Sequence, residues 1–131
     1  MNFKNEYIKS KKNNTMIKIT TKDLLKNFEI NGQKCLYKND IPCIIDFYAT
    51  WCKPCKTIDR VLTKLEKQNT DIIFYTIDIE EEYELAEIFN IKNLPTMILC
   101  SKNIDTIRLQ GTIGEIKIQS KLNQLKIKEV V

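Results

Sequence analysis

The fold is decided by the sequence Cys-Ile-Ile-Asp-Phe-Tyr-Ala-Thr-Trp-Cys-Lys-Pro-Cys-Lys, residues 43–56. Its first half, residues 43–49, is almost entirely apolar, which is typical of a strand covered on both faces. From about residue 53 to residue 67, apolar residues recur at helical spacing and predict an amphipathic helix. These residues are Ile58, Val61, Leu62 and Leu65. Cys52 and Cys55 therefore lie where a buried strand passes into a helix.

Upstream of this segment the pattern predicts a short strand followed by a short helix. The strand is predicted at residues 16–20, and Thr20 or Thr21 is expected to cap a helix that runs through Phe28. Asn31-Gly32 predicts a turn. Residues 33–42 are expected to form a connection without regular structure.

Downstream of it, strand and helix patterns continue to alternate. They predict a buried strand at 72–79, a short helix from Glu80 through Phe89, a hairpin and a final helix. The hairpin strands are 96–100 and 104–110, with Lys102-Asn103 at the turn and Gly111 at the end; Ile116, Leu122 and Leu125 mark the final helix, to about Ile127. This order predicts an α/β fold, a mixed central sheet of about five strands flanked by helices on both faces.

Length and composition favour a single globular domain. The chain has 131 residues, of which 43% are apolar and 29% charged; it is long enough to bury one core. Residues 1–15 are polar and basic and are predicted to be a flexible tail, which leaves 16–131 as the domain. We expect no membrane span and no secretory signal, and hence a cytoplasmic protein.

The charge distribution argues against a nucleic-acid-binding protein. The formal net charge is +4, but the lysines are spread along the whole chain. No basic run alternates with aromatic residues, as a stacking groove for bases would require. We expect the lysines to form a solvated surface.

The chain has five cysteines and no histidine. The odd cysteine count fits poorly with a fully paired secreted framework. Without histidine, Cys₂His₂ and Cys₃His zinc sites and all histidine-dependent nucleophile mechanisms are excluded. Acid–base chemistry must therefore use carboxylates, lysine, tyrosine or the thiols themselves.

The position of Cys52 predicts a reactive thiolate. Unpaired backbone N–H groups and the dipole at a helix N-terminus stabilise an anion, so its pKa should fall from about 8.5 to about 7 or lower. Cys55 is near enough to form a disulfide with it, and Pro54 suits an early helical position. Lys53 adds a cation that would stabilise the reduced form and make the pair more oxidising.

Two other roles are conceivable for the cysteine pair, a zinc site and a structural disulfide. A zinc site needs four ligands, but Cys35, Cys43 and Cys100 stand alone, so we predict no metal. A structural disulfide closing so short a loop would stabilise little. A G-x-G-x-x-G motif is absent and no cofactor is predicted. The redox role is therefore favoured.

At this point a resemblance can be stated. The stretch from Ile45 to Lys56 resembles the active-site strand and loop of the thioredoxin family, with Lys53 where the family commonly has glycine. Asn93-Leu94-Pro95-Thr96 is similar to the family's second motif, and Gly111 to its late glycine. The resemblance covers about residues 16–127. It implies a thioredoxin fold, reduction of protein disulfides, a thioredoxin-reductase-like flavoenzyme as electron donor, and a monomer.

The resemblance also implies roles for residues around the pair. Asp46 matches a buried carboxylate, whose pKa burial should raise, and which would exchange a proton with Cys55. The alternative is a hydrogen-bonded structural aspartate. Pro95 should follow a cis peptide bond facing the cysteines; otherwise it is an ordinary proline at the start of a strand.

The same comparison predicts a substrate groove beside the cysteines. Leu94 would offer backbone groups to an extended substrate segment, and Trp51 would cover part of the contact surface unless it packs in the core. The expected groove residues are Trp51, Lys53, Pro54, Leu94 and Pro95.

Two further departures from the family pattern are visible. Thr76 stands where many relatives have a charged residue near the buried aspartate, and Arg60 where many have a proline that kinks the helix; a straighter helix is expected.

Cys43 and Cys100 are predicted to be small buried hydrophobes. Cys35, in a connection, could be exposed and modified, but an unreactive thiol is favoured, because reactivity needs an accessible, electropositive site.

Two rival functions remain at this stage. A disulfide-forming oxidase or isomerase would need an oxidising compartment and a higher reduction potential. An adaptor that only binds a partner would make the cysteines incidental. The intact pair, Asp46 and Pro95 favour a reductase.

Overall fold

The computed structural model describes residues 16–31, 34–102 and 104–126. Within these residues the chain forms seven strands and four helices. They are β1 (Ile17–Lys18), α1 (Thr21–Leu25), β2 (Phe28–Asn31), β3 (Lys34–Tyr37), β4 (Cys43–Tyr48), α2 (Lys53–Gln68), β5 (Ile73–Asp78), α3 (Tyr83–Ile88), β6 (Thr96–Cys100), β7 (Ile107–Gln110) and α4 (Glu115–Leu125). The predicted tail at 1–15 lies outside the described residues.

Five strands form the central sheet, in the order β1-β5-β4-β6-β7. β4 runs parallel to β5, and β5 parallel to β1. β6 is antiparallel to β4, and β7 antiparallel to β6. The predicted mixed five-stranded sheet is confirmed. β4 is its middle strand, and its first five residues are buried, as the apolar run predicts for a strand covered on both faces.

Successive side chains of a strand point to opposite faces of the sheet. Helices cover both of these faces. Ile45 and Phe47 of β4 pack in one core with α1, the β2–β3 hairpin and the α3 region. Ile44 packs in the other core with α2 and α4. Asp46 is two residues from Ile44 and therefore faces the side of the sheet that α2 covers. This alternation places the carboxyl beneath the helix that carries the cysteines.

The structure corrects the prediction for residues 26–42. The first helix, capped by Thr20, ends at Leu25, and Phe28 begins a strand instead of continuing it. The predicted connection contains β3, which pairs with β2. Phe28 and Tyr37 are register partners with ring centroids 5.3 Å apart, and Phe28 also contacts Phe89 at 5.6 Å. These long-range aromatic contacts outweigh the helical pattern. Gly32 of the predicted turn lies outside the described residues.

The C-terminal elements follow the prediction except at the start of β7. β7 begins at Ile107 rather than Ile104, and Asn103 of the predicted turn lies outside the described residues. α4 buries Ile118, Leu122 and Leu125; Ile116 lies on the same helix, as predicted, and is 87% exposed. Gly111 has φ +85, a conformation that favours glycine, and its N–H donates to the Pro95 carbonyl at 2.9 Å.

Candidate active site

Cys52 and Cys55 form a disulfide, with Cα atoms 5.3 Å apart, at the start of α2. Cys52 is the N-cap residue, in extended backbone conformation, and its Sγ accepts a hydrogen bond from the Cys55 N–H at 3.3 Å. Pro54 lies in the first turn, where its missing N–H costs nothing. A turn bond from the Cys52 N–H to the Ala49 carbonyl, 3.1 Å, links β4 to the helix. The Cys55 N–H of the first helical turn therefore points at the Cys52 sulfur.

The disulfide lies between two surface depressions. Cys52 is 5% exposed and lines a groove of about 510 Å³; Cys55 is 3% exposed and lines a separate cleft of about 340 Å³. The two sulfurs thus face different surroundings. Cys52 adjoins the surface that a large partner could reach, and Cys55 adjoins a smaller cleft that leads to Asp46.

The groove is bordered by an exposed aromatic ring and a cis-proline loop. Trp51 is 68% exposed, so it belongs to the surface and not to the core. Leu94 is partly buried and packs against the cysteines. The Leu94–Pro95 peptide bond is cis. Pro95 is itself buried, and the groove is lined by Trp51, Cys52, Lys53, Pro54, Ile79, Ile91, Lys92, Asn93 and Leu94.

The loop before β6 is fixed by hydrogen bonds. The Thr96 hydroxyl donates to the Asn93 carbonyl at 2.5 Å, and the Pro95 carbonyl accepts from Gly111. These bonds join the two predicted motifs around Pro95 and Gly111. The loop is therefore held beside the cysteines by the strands that flank it.

The groove carries positive charge. Its described lining includes Lys53 and Lys92, both exposed, and no aspartate or glutamate. The N-terminus of α2 adds a partial positive charge at Cys52. Lys92, Ile79 and Ile91 were missed by the sequence reasoning, because they come from two loops that only the fold brings together.

Asp46 is the buried carboxyl of the cleft. It is 2% exposed, and its Oδ1 has no hydrogen-bond partner among the described residues. Burial raises the pKa of Asp46 to about 7, and the negative charge of Asp59 contributes to the rise. A hydrogen-bonded structural aspartate would show its oxygens satisfied. The group is instead a carboxyl that can gain or lose a proton near neutral pH.

Thr76 and Asp59 complete the surroundings of Asp46. Thr76 is the register partner of Asp46 on β5, so this strand places a neutral hydroxyl beside the carboxyl. Asp59 lines the same cleft from α2 and was missed in the sequence. Its spacing of four residues from Cys55 was the available signal, because residues four apart lie on the same side of a helix.

The remaining cysteines are part of the core. Cys43 and Cys100 are both buried and lie opposite each other on β4 and β6. A hydrogen bond with Cys43, together with burial, raises the pKa of Cys100. Cys35 lies in β3 rather than in an irregular connection and packs partly buried against the core. Burial raises the pKa of its thiol as well, which disfavours the reactive thiolate.

The chain is similar to known proteins over most of its length. The family model described as Thioredoxin matches residues 20–124. The chain belongs to the thioredoxin family. It is therefore a thiol–disulfide oxidoreductase by family, and the Cys52–Cys55 disulfide is the redox group that such chemistry requires.

Relatives with this name occur in bacteria and eukaryotes. Thioredoxin C-3 of Corynebacterium nephridii is 32% identical over 96 residues, which span 73% of this chain and 66% of that protein. Thioredoxin of Borreliella burgdorferi is 35% identical over 85 residues, spanning 63% of this chain and 73% of that protein. The matches thus span about two thirds of the length of these relatives.

Solved structures agree on the fold. Mitochondrial thioredoxin 3 of Saccharomyces cerevisiae, in oxidised form, superposes with a TM-score of 0.66 at 28% identity, covering 88% of this chain and 99% of that one. A chloroplastic thioredoxin z superposes with a TM-score of 0.72 at 24% identity, covering 85% and 94%. The predicted thioredoxin fold is confirmed.

Neither a metal-binding cluster nor a membrane-spanning helix is found within the described ranges. Among residues 16–31, 34–102 and 104–126, no three or more cysteine, aspartate or glutamate side chains are grouped to hold a metal ion. No helix in the described part of the chain has the length and apolarity needed to cross a bilayer.

Proposed function

We propose that this chain reduces disulfides in other proteins by dithiol–disulfide exchange through Cys52 and Cys55. The observation that carries the proposal is the division of the pair between two surfaces. Cys52 adjoins the open groove, and Cys55 adjoins the cleft of Asp46. Attack on an external disulfide and deprotonation of the second thiol can therefore occur on opposite sides of the pair.

The reaction begins with the reduced protein. The Cys52 thiolate, stabilised by the Cys55 N–H and the dipole at the start of α2, attacks one sulfur of the substrate disulfide. The substrate S–S bond breaks, and its other sulfur leaves as a thiolate. Cys52 is then joined to the substrate in a mixed disulfide.

Cys55 completes the exchange. The Asp46 carboxylate takes the proton of the Cys55 thiol, directly or through water, and the Cys55 thiolate attacks Cys52. The bond between Cys52 and the substrate breaks, and the second substrate sulfur leaves as a thiolate. The substrate has gained two electrons, and the chain holds the Cys52–Cys55 disulfide.

The groove is the proposed binding site for an extended segment of the substrate. Leu94 would pair its backbone with that segment, and Trp51, Lys53 and Pro54 would contact its side chains. Pro95 shapes the loop from behind. A thioredoxin-reductase-like flavoenzyme would restore the dithiol, and we propose that the chain acts as a monomer in the cytoplasm.

Insulin reduction by dithiothreitol tests the catalytic role. We expect the wild-type chain to accelerate insulin precipitation and Cys52→Ser to abolish the acceleration, while Cys35→Ser, which alters a core thiol, retains it. Equal slow rates for wild type and Cys52→Ser would refute the proposal. Cys55→Ser should retain substrates as mixed disulfides on Cys52, and mass spectrometry of the trapped adducts would identify them.

A disulfide-forming activity is the second candidate, and Lys53 is the observation that favours it. Its cation lies beside Cys52 and would stabilise the reduced form. A reduction potential of about −180 mV, like that of protein disulfide isomerase, would support this candidate. A value near −270 mV, like that of thioredoxin, would support the reductase.

A further inference from the structure

The cleft behind the disulfide contains a second carboxylate. Asp46 forms part of its buried wall, and Asp59 is an exposed residue that lines the same cleft. Asp59 follows Cys55 by four residues on α2, so both side chains lie on one side of the helix. The cleft therefore joins the second thiol, the buried carboxyl and a solvent-accessible carboxylate.

The charges around Asp46 can be stated element by element. From α2 the cleft receives Cys55, Lys56 and Asp59; from β4 it receives Tyr48, and from β5 the neutral Thr76. The partner strand β6 places apolar Met97 beside Asp46. The neighbouring strand β5 therefore contributes no cation that would offset the negative charge of Asp59 on α2.

The negative charge of Asp59 acts on Asp46. After burial, it is the second cause of the raised Asp46 pKa. Because the Asp46 Oδ1 has no donor among the described residues, its anion is poorly stabilised, and a nearby carboxylate adds to that cost. Both effects favour the protonated form of Asp46.

We propose that Asp59 is a positioning residue of the disulfide exchange, a second carboxylate that acts across the cleft on Asp46 and makes it a better acceptor for the Cys55 proton. This inference rests on the proposed function. When Cys55 loses its proton, Asp46 becomes neutral, and the repulsion between the two carboxylates is relieved. When the proposed thioredoxin-reductase-like flavoenzyme supplies two electrons and reduces the disulfide again, Asp46 can return a proton to the Cys55 thiolate.

The titration of Asp46 tests the electrostatic part. Carbon-detected NMR of the oxidised protein follows the Asp46 carboxyl, without interference from a thiol at residue 52 or 55. We expect Asp59→Asn to lower its midpoint by about half a pH unit and Asp59→Glu to restore it. Lys56→Gln, which removes a positive charge from the same cleft, should not lower the Asp46 midpoint. An unchanged midpoint in Asp59→Asn, or an equal fall in Lys56→Gln, would overturn the inference.

Single-turnover kinetics test the link to catalysis. Reduced protein in a Cys35→Ser background is mixed with 5,5′-dithiobis(2-nitrobenzoic acid). The first thionitrobenzoate released reports attack by Cys52, and the second reports attack by Cys55. We expect Asp59→Asn to leave the first release unchanged, to move the pH inflection of the second release to lower pH, and to lower its high-pH plateau about twofold, since a weaker base accepts protons less readily.

The outcomes separate the inference from the proposed function. A second release with the wild-type pH profile in Asp59→Asn refutes the role of Asp59 alone. A second release that Asp46→Asn leaves unchanged refutes Asp46 as the acceptor, and with it the inference. If the wild-type protein shows no fast first release, the proposed function itself is wrong.

Discussion

At the scale of the residue, Asp46 is where stability and function conflict. Its pKa rises from 3.8 to about 7 in the oxidised protein, mainly through burial. A carboxyl buried without a donor destabilises the fold whenever it is charged. In the proposed mechanism, this destabilisation accompanies the placement of a proton acceptor beside Cys55.

The pH dependence of stability follows with a definite sign. Because the folded protein binds the Asp46 proton more tightly than the unfolded chain does, stability falls as the pH rises from about 4 to about 7, by up to about 4 kcal/mol. We expect Asp46→Asn to be the more stable protein at pH 8 and to lose that advantage at pH 4. Urea unfolding of the oxidised proteins at both values measures this, with the exposed Asp71→Asn as control. An equal stability difference at both pH values would contradict it.

Cys52, also at the scale of the residue, owes its hydrogen bond to its position at the start of α2. Its sulfur accepts the Cys55 N–H because it is the N-cap residue. The sequence was sufficient to predict this placement, since a buried strand, Pro54 and an amphipathic stripe define the helix start. Asp59 was not found in the same way, because its significance depends on the cleft it shares with Asp46.

At the scale of the element, the β2–β3 hairpin stabilises the face of the sheet opposite α2. Phe28 is 4% exposed and contacts the rings of Tyr37 and Phe89. The hairpin lies outside the central sheet, so its apolar side chains, rather than strand pairing with that sheet, attach it to the core. A substitution at a buried position of the hairpin should therefore cost much more stability than a substitution at an exposed position.

We expect Phe28→Ala to lower the free energy of unfolding by about 3 kcal/mol, because it removes a buried ring and leaves a cavity. Leu36→Ala, at a position 50% exposed on the paired strand, should cost less than about 0.5 kcal/mol. Denaturant unfolding of the two variants provides the comparison. Similar losses for both would show that the ring contacts are not what attaches the hairpin.

At the scale of the whole molecule, the groove combines an apolar wall with positive charge. Lys53 comes from the start of α2 and Lys92 from the loop before β6. Opposite charges on a partner accelerate encounter and favour one register of binding. The groove is therefore expected to discriminate among disulfide substrates by the charges next to their cysteines.

Matched disulfide peptides, with glutamate or lysine beside each cysteine, measure this preference. We expect the acidic peptide to be reduced about threefold faster at low ionic strength, and the difference to shrink in high salt. The double variant Lys53→Gln, Lys92→Gln should lose the preference, while Lys67→Gln, in the last turn of α2, should keep it. Equal rates for the two peptides in the wild-type protein would exclude this role of the lysines.

The sequence by itself determined the central sheet and the location of the cysteine pair. Long apolar runs and helical spacing are local patterns, and the strands at 43–48 and 73–78 and the helix at 53–68 follow from them. The cysteine chemistry was equally local, since an N-cap position and two intervening residues suffice to predict a redox pair. These features could be predicted because each depends on neighbours along the chain.

Tertiary structure alone decided how distant residues share surroundings. The pairing of Phe28 with Tyr37 turned a predicted helix end and connection into a hairpin, and the exposure of Ile116 depended on which side of α4 met the sheet. Lys92 joined the groove, and Asp59 joined the cleft of Asp46, through contacts between separate elements. Burial and electrostatic interaction act through space, so their effects on a residue depend on the folded arrangement and not on sequence spacing alone.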